Sequence, residues 1–132
     1  DEVAKSFVPG THASTFGGNP LATAAGIAAL KAVLEEGMLE NCRKVGKYIL
    51  EKLNKLKAKY PFIKEVRGKG LIIGMELTTP GVDIVKACME KGVLINCTSD
   101  KILRFIPPLV VTENEVDKML MILEEVLKGV KV

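Results

Sequence analysis

The chain has no tryptophan and no glutamine, and its only aromatic residues besides one histidine are two tyrosines and four phenylalanines. So few rings leave little with which to stack bases. No block of lysine or arginine rises above the interspersed acids either, so the net charge of +3 does not point to nucleic acid. No apolar run reaches the roughly 20 residues that a membrane span needs. The longest near-apolar stretch, Leu21 to Leu34, is broken by Thr23, Gly26 and Lys31 and reads as a buried helix. The first residues lack the pattern of a secretory leader. No C-x-x-C pair occurs, and a single histidine cannot complete a usual zinc set, so no metal site is expected. The three cysteines, Cys42, Cys88 and Cys97, sit apart among apolar neighbours, which fits free thiols in a reducing, cytoplasmic setting.

What the chain does have is enough apolar residue for one core: 48% of 132 residues are hydrophobic and 27% charged. Pro20 to Glu36 reads as a helix that is apolar almost all the way round and therefore needs cover from outside this chain. Met38 to Lys59 reads as a second helix with one apolar stripe, stopped by Pro61. Strands are predicted over Phe62 to Arg67 and Leu71 to Leu77, joined by Gly68-Lys69-Gly70, with Gly74 marking close approach of another backbone. A short helix follows over Val82 to Lys91, then strands over Val93 to Cys97 and Ile102 to Ile106. Thr112 and Glu115 match a capping box that opens a last helix running to about Lys128. The predicted fold class is α+β: from residue 38 onward, a two-layer unit with an antiparallel sheet and helices on one face.

Two places could carry chemistry. In Gly10 to Pro20, three hydroxyls, two adjacent glycines and His12 precede a helix start at Asn19-Pro20. Asparagine is a good N-cap and proline suits the first helical position. A helix start directs free N–H groups toward such a loop, which could hold a phosphate or a carboxylate; a well-capped turn with no ligand is the plainer alternative. The second is Arg104, one of three arginines, set in an otherwise apolar strand. A guanidinium buried there should meet an anion, and its planar fork suits a carboxylate. The alternative is an outward-facing arginine on an edge strand. His12 is expected to pack or hydrogen-bond structurally, and Arg67 to bind backbone carbonyls in a turn.

Three segments, GTHASTFGGNPLA (Gly10 to Ala22), RGKGLIIGMEL (Arg67 to Leu77) and GVLINCTSDKILRFIPPLVV (Gly92 to Val111), resemble the class III, pyridoxal-phosphate-dependent aminotransferases, and within them the acetylornithine branch. The resemblance covers essentially the whole chain, but only the last third or so of such an enzyme. It implies a fold-type I transferase in which residues 1–37 end the large domain and residues 38–132 form the small C-terminal domain. It implies a homodimer with sites shared across the interface, and pyridoxal 5'-phosphate as cofactor. By the same resemblance Thr15 binds the cofactor phosphate across that interface, Ser14 lies beside the substrate, and Arg104 binds a substrate carboxylate. The implied reaction moves an amino group between N2-acetylornithine and 2-oxoglutarate, in arginine biosynthesis. The family's cofactor-bearing lysine lies upstream of the first segment, so this chain by itself is expected to be an inactive C-terminal piece. Two readings from other classes stand beside it: an amino-acid-binding regulatory α+β domain, although its usual order begins with a strand, and a pure dimerisation module, which leaves Arg104 without a purpose.

Overall fold

Asn19 accepts from the N–H of Ala22 at 2.9 Å through its Oδ1, and Pro20 takes the first helical position, so the helix α1 begins where the residues require and runs over Pro20–Glu35. The computed structural model describes residues 2–130. It divides into two units, 1–36 and 37–132. The first holds a short 3-10 turn over Val3–Ser6, the glycine-rich loop and α1. No residue of α1 is buried; Leu21, Ile27, Leu30 and Leu34 are each more than half exposed. No helix among the described residues is long and apolar enough to cross a membrane.

The second unit holds the core. Helix α2 (Met38–Lys59) buries Val45, Ile49, Leu53 and Leu56 along its apolar stripe. Strands β1 (Ile63–Lys69), β2 (Ile72–Leu77), β3 (Asn96–Thr98) and β4 (Ile102–Phe105) form one antiparallel sheet in the order β1-β2-β4-β3. Helices α3 (Val82–Glu90) and α4 (Glu113–Lys128) complete the helical layer, with α2 against β1 and β2, and α3 against β3 and α4. The α+β class holds. Side chains alternate along the strands: Ile73, Met75, Leu77, Leu103 and Phe105 are buried in the core, while Ile72, Arg104 and Ile106 stay exposed.

The structure differs from the sequence reading most at the β1–β2 turn, at the start of β3 and at Gly74. β1 continues through Gly68 to Lys69, and the reversal falls at Gly70, where φ is +56°. β3 begins only at Asn96: its register would set Leu94 and Val93 opposite Ile106 and Pro107, beyond the end of β4 at Phe105. The close backbone approach expected at Gly74 occurs elsewhere. A Cβ at Gly74 would meet only a methyl of Ile102, at 3.3 Å, whereas one at Gly46 in α2 would sit 2.6 Å from the carbonyl carbon of Gly70.

The capping box forms as read. Thr112 Oγ1 accepts from the N–H of Glu115, and the Glu115 carboxylate accepts from the N–H of Thr112 at 2.8 Å. The Thr112 backbone N–H holds the Glu115 carboxyl below its usual range. Thr112→Ala is expected to cost about 1 kcal/mol, read as a lower denaturant midpoint at unchanged slope.

Candidate functional site

The loop before α1 is built from short local bonds. Thr11 Oγ1 donates to the carbonyl of Val8 at 2.7 Å, Asn19 Nδ2 donates to that of Phe16 at 2.6 Å, and Thr23 Oγ1 donates to that of Asn19 at 2.9 Å. Gly10 and Gly18 take positive φ, +88° and +76°, which few other residues accept. Gly17 is required by space instead: a Cβ there would come within 2.8 Å of both Cβ and Oγ of Ser14. That approach lets Ser14 Oγ accept from the N–H of Gly17 at 2.9 Å. Ser14 is thus a local cap, and its own O–H remains available to donate. Thr15 is exposed, and among the described residues its hydroxyl has no hydrogen-bond partner. The two neighbouring hydroxyls are therefore not equivalent: one shapes the loop and the other is uncommitted. His12 stacks on Phe7, with ring centroids 4.7 Å apart and planes 29° apart, in keeping with a structural role.

Arg104 lies in the second unit. Its strand is interior to the sheet, not an edge, yet the guanidinium is exposed. The expectation of burial fails because residue spacing of two places Arg104 with Ile102 and Ile106 on the sheet face opposite the buried side chains that meet α2, α3 and α4. Across that face the register sets Arg67, Gly74, Arg104 and Asn96 in one row, one residue per strand. The two arginines in the row are electrostatically different. Arg67 donates to Glu65 Oε2 at 2.7 Å and to Glu76 Oε2 at 2.8 Å, so it binds carboxylates and not the backbone carbonyls expected of it. Glu76 also takes Lys64 Nζ at 2.5 Å; Lys64 first and Arg67 second hold its carboxyl below the usual range. These pairs are exposed and lend little stability, but they engage one terminal nitrogen of Arg67 with two carboxylates.

Among the described residues Arg104 has no acidic partner. Its single side-chain bond runs from Nε to Asn96 Oδ1, at 3.1 Å. Arg104 and Asn96 line an open hollow of about 280 Å³ together with Leu94, Ile95 and Ile106. A cation whose terminal N–H groups are unpaired, set beside apolar walls, can take a carboxylate end-on with the carbon chain resting on those walls. Sequence reasoning missed Asn96. Counting outward from the turn as read, residues 98–101, pairs Arg104 with Ile95; the observed turn is one residue shorter and brings Asn96 opposite instead.

The chain belongs to the class-III aminotransferases, whose family model matches residues 1–127. It is 52% identical to the acetylornithine aminotransferase of Caldanaerobacter subterraneus subsp. tengcongensis, over 95% of this chain and 32% of that protein. Among solved structures it is similar to the acetylornithine aminotransferase of Elizabethkingia anophelis, with a TM-score of 0.84 and 36% identity over 97% of this chain and 33% of that one. It is also similar to the ornithine aminotransferase of Toxoplasma gondii, with a TM-score of 0.83 and 35% identity over 98% of this chain and 32% of that one. That structure shows partial occupancy of PLP at its active site. The chain spans about a third of the length of these relatives.

Proposed function

We propose that the complete protein carrying this chain is an acetylornithine aminotransferase that moves an amino group between N2-acetylornithine and 2-oxoglutarate, in arginine biosynthesis. We take it to act in the cytoplasm as a homodimer with sites shared across the subunit interface. Residues 1–37 then close its large domain and residues 38–132 form its small one. The observation that carries the reading is Arg104, an exposed guanidinium without an acidic partner beside an open hollow, in a chain half identical to an acetylornithine aminotransferase. In this reading Arg104 binds a substrate carboxylate through its two terminal nitrogens, and the hydroxyl of Ser14 lies beside the substrate.

The loop fits pyridoxal 5'-phosphate because Thr15 offers an uncommitted, exposed hydroxyl beside glycines and ahead of a helix start. When bound, that cofactor supplies the electron sink for amino transfer. Thr15 would donate to a phosphate oxygen across the subunit interface. On their own these 132 residues would grip and orient but not transaminate, since the family's cofactor-bearing lysine matches no residue here.

The complete protein, loaded with pyridoxal phosphate, should form glutamate from N2-acetylornithine and 2-oxoglutarate. Turnover of ornithine in place of acetylornithine would reassign the donor, and turnover of neither would end the proposal. Thr15→Ala should weaken pyridoxal phosphate binding about tenfold, the worth of one hydrogen bond to a charged group. Binding of pyridoxal, which lacks the phosphate, should be unchanged. Equal loss for both compounds would remove Thr15 from the phosphate site.

A further inference from the structure

We propose that Asn96 is the positioning residue for Arg104: it holds the guanidinium by Nε and so leaves the two terminal nitrogens as an end-on fork for the ligand carboxylate. This rests on the reading of Arg104 as the carboxylate contact. An arginine side chain has four rotatable bonds and loses about 2 kcal/mol of rotamer freedom when fixed. A site that pays this cost before the ligand arrives binds more tightly than one that pays it on binding.

The row across the open face shows where the hold comes from. On one side of Arg104 stands Gly74, which has no side chain to offer. On the other side stands Asn96, directly opposite in the register, with Oδ1 at 3.1 Å from Nε. Among the described residues nothing else bonds to the guanidinium. Asn96 is suited to this because its oxygen is neutral: a carboxylate at that position would pair with the guanidinium and compete with the ligand, as Glu65 and Glu76 do at Arg67. With Nε engaged, the side-on approach that uses Nε is closed, and the four remaining N–H donors belong to the two terminal nitrogens. Asn96 and Arg104 are also the two polar residues lining the hollow, whose other walls are Leu94, Ile95 and Ile106. The asparagine therefore lies within the recognition surface without having to touch the reacting atoms.

The test uses the complete holoenzyme and glutarate, an unreactive dicarboxylate, as competitive inhibitor against 2-oxoglutarate. Asn96→Ala and Asn96→Leu should each raise the glutarate Ki and the 2-oxoglutarate KM about fivefold, the worth of one ordinary hydrogen bond, with kcat changed less than about twofold. Combined with Arg104→Ala, neither should have any further effect, because their action passes through the guanidinium. Thermal stability should stay near that of the parent, since both side chains are exposed. If Arg104→Ala weakens glutarate binding while both Asn96 variants bind it normally, the positioning role is wrong and the carboxylate contact stands. If an Asn96 variant weakens binding equally with and without Arg104, Asn96 acts by another route and the proposal also fails. If Arg104→Ala itself leaves glutarate binding unchanged, the underlying reading of Arg104 is lost and this inference with it.

Discussion

Arg104→Ala in the complete enzyme is expected to raise the KM for 2-oxoglutarate about a hundredfold, which corresponds to about 2.7 kcal/mol and to the loss of a two-bond, charge-assisted carboxylate contact. The size follows from what the guanidinium lacks as much as from what it holds. A surface arginine already engaged by acids, such as Arg67, loses little when removed, because exposed ion pairs contribute only about 0–1 kcal/mol. Arg104 has a neutral partner only, so the whole interaction with a bound carboxylate is available to be lost. Arg104→Lys should recover part of the affinity through charge, but not the planar fork. Unfolding should barely shift, because the side chain is exposed and contributes nothing to the core. Steady-state kinetics with varied 2-oxoglutarate, alongside a denaturation curve, separates these effects. A parent-like KM would show that the carboxylate is bound elsewhere.

The largest stability effect is expected at Gly46. In an ordinary helix interior, glycine to alanine gains up to about 1 kcal/mol. Here the added methyl would sit 2.6 Å from the carbonyl carbon of Gly70 and nearer still to its oxygen. The obstacle is backbone, which cannot rotate aside as a side chain can. The opposite face of the contact is equally constrained: Gly70 has φ +56°, and a Cβ there would lie 2.6 Å from Cys42 Sγ. Overpacking of this kind costs about 3 kcal/mol, so Gly46→Ala is expected to destabilise the protein by about 2 kcal/mol net despite its better helix propensity. Equilibrium denaturation with the slope held in common measures it. An increase in stability would mean that α2 and the β1–β2 turn move apart at no cost.

Local signals were legible in the sequence where a local pattern carries them. The stripe of Val45, Ile49, Leu53 and Leu56, the capping box at Thr112 and Glu115, and the cap-and-proline start at Asn19-Pro20 all lie within a turn or two of chain, and each forms as read. What failed depended on distant partners. Val93 and Leu94 have strand composition but no strand to pair with, because the neighbour ends at Phe105 ahead of Pro107-Pro108. Gly46 looks like a tolerated helix glycine until the β1–β2 turn is placed against it. Arg104 sits among Ile102, Leu103, Phe105 and Ile106, so its strand reads as apolar on both faces; within the second unit α2, α3 and α4 pack on the face of Leu103 and Phe105, not on that of Arg104. Asn96 carries no signal by itself and acquires meaning only through its register with Arg104. Thr15 and Ser14 are adjacent and chemically alike, and only the placement of Gly17 shows which of them is already engaged.

The sheet ends on both sides in strands poorly suited to recruiting a further strand. β3 is three residues long, and β1 carries a register shift between Ile63 and Glu65 along with Lys64, Glu65, Arg67 and Lys69. Short edges, bulges and charged borders are the devices by which sheets avoid growing sideways into aggregates. The open face that carries Arg104 is thus bordered by edges that do not invite a further strand, so the sheet stays at four strands without that face being sealed.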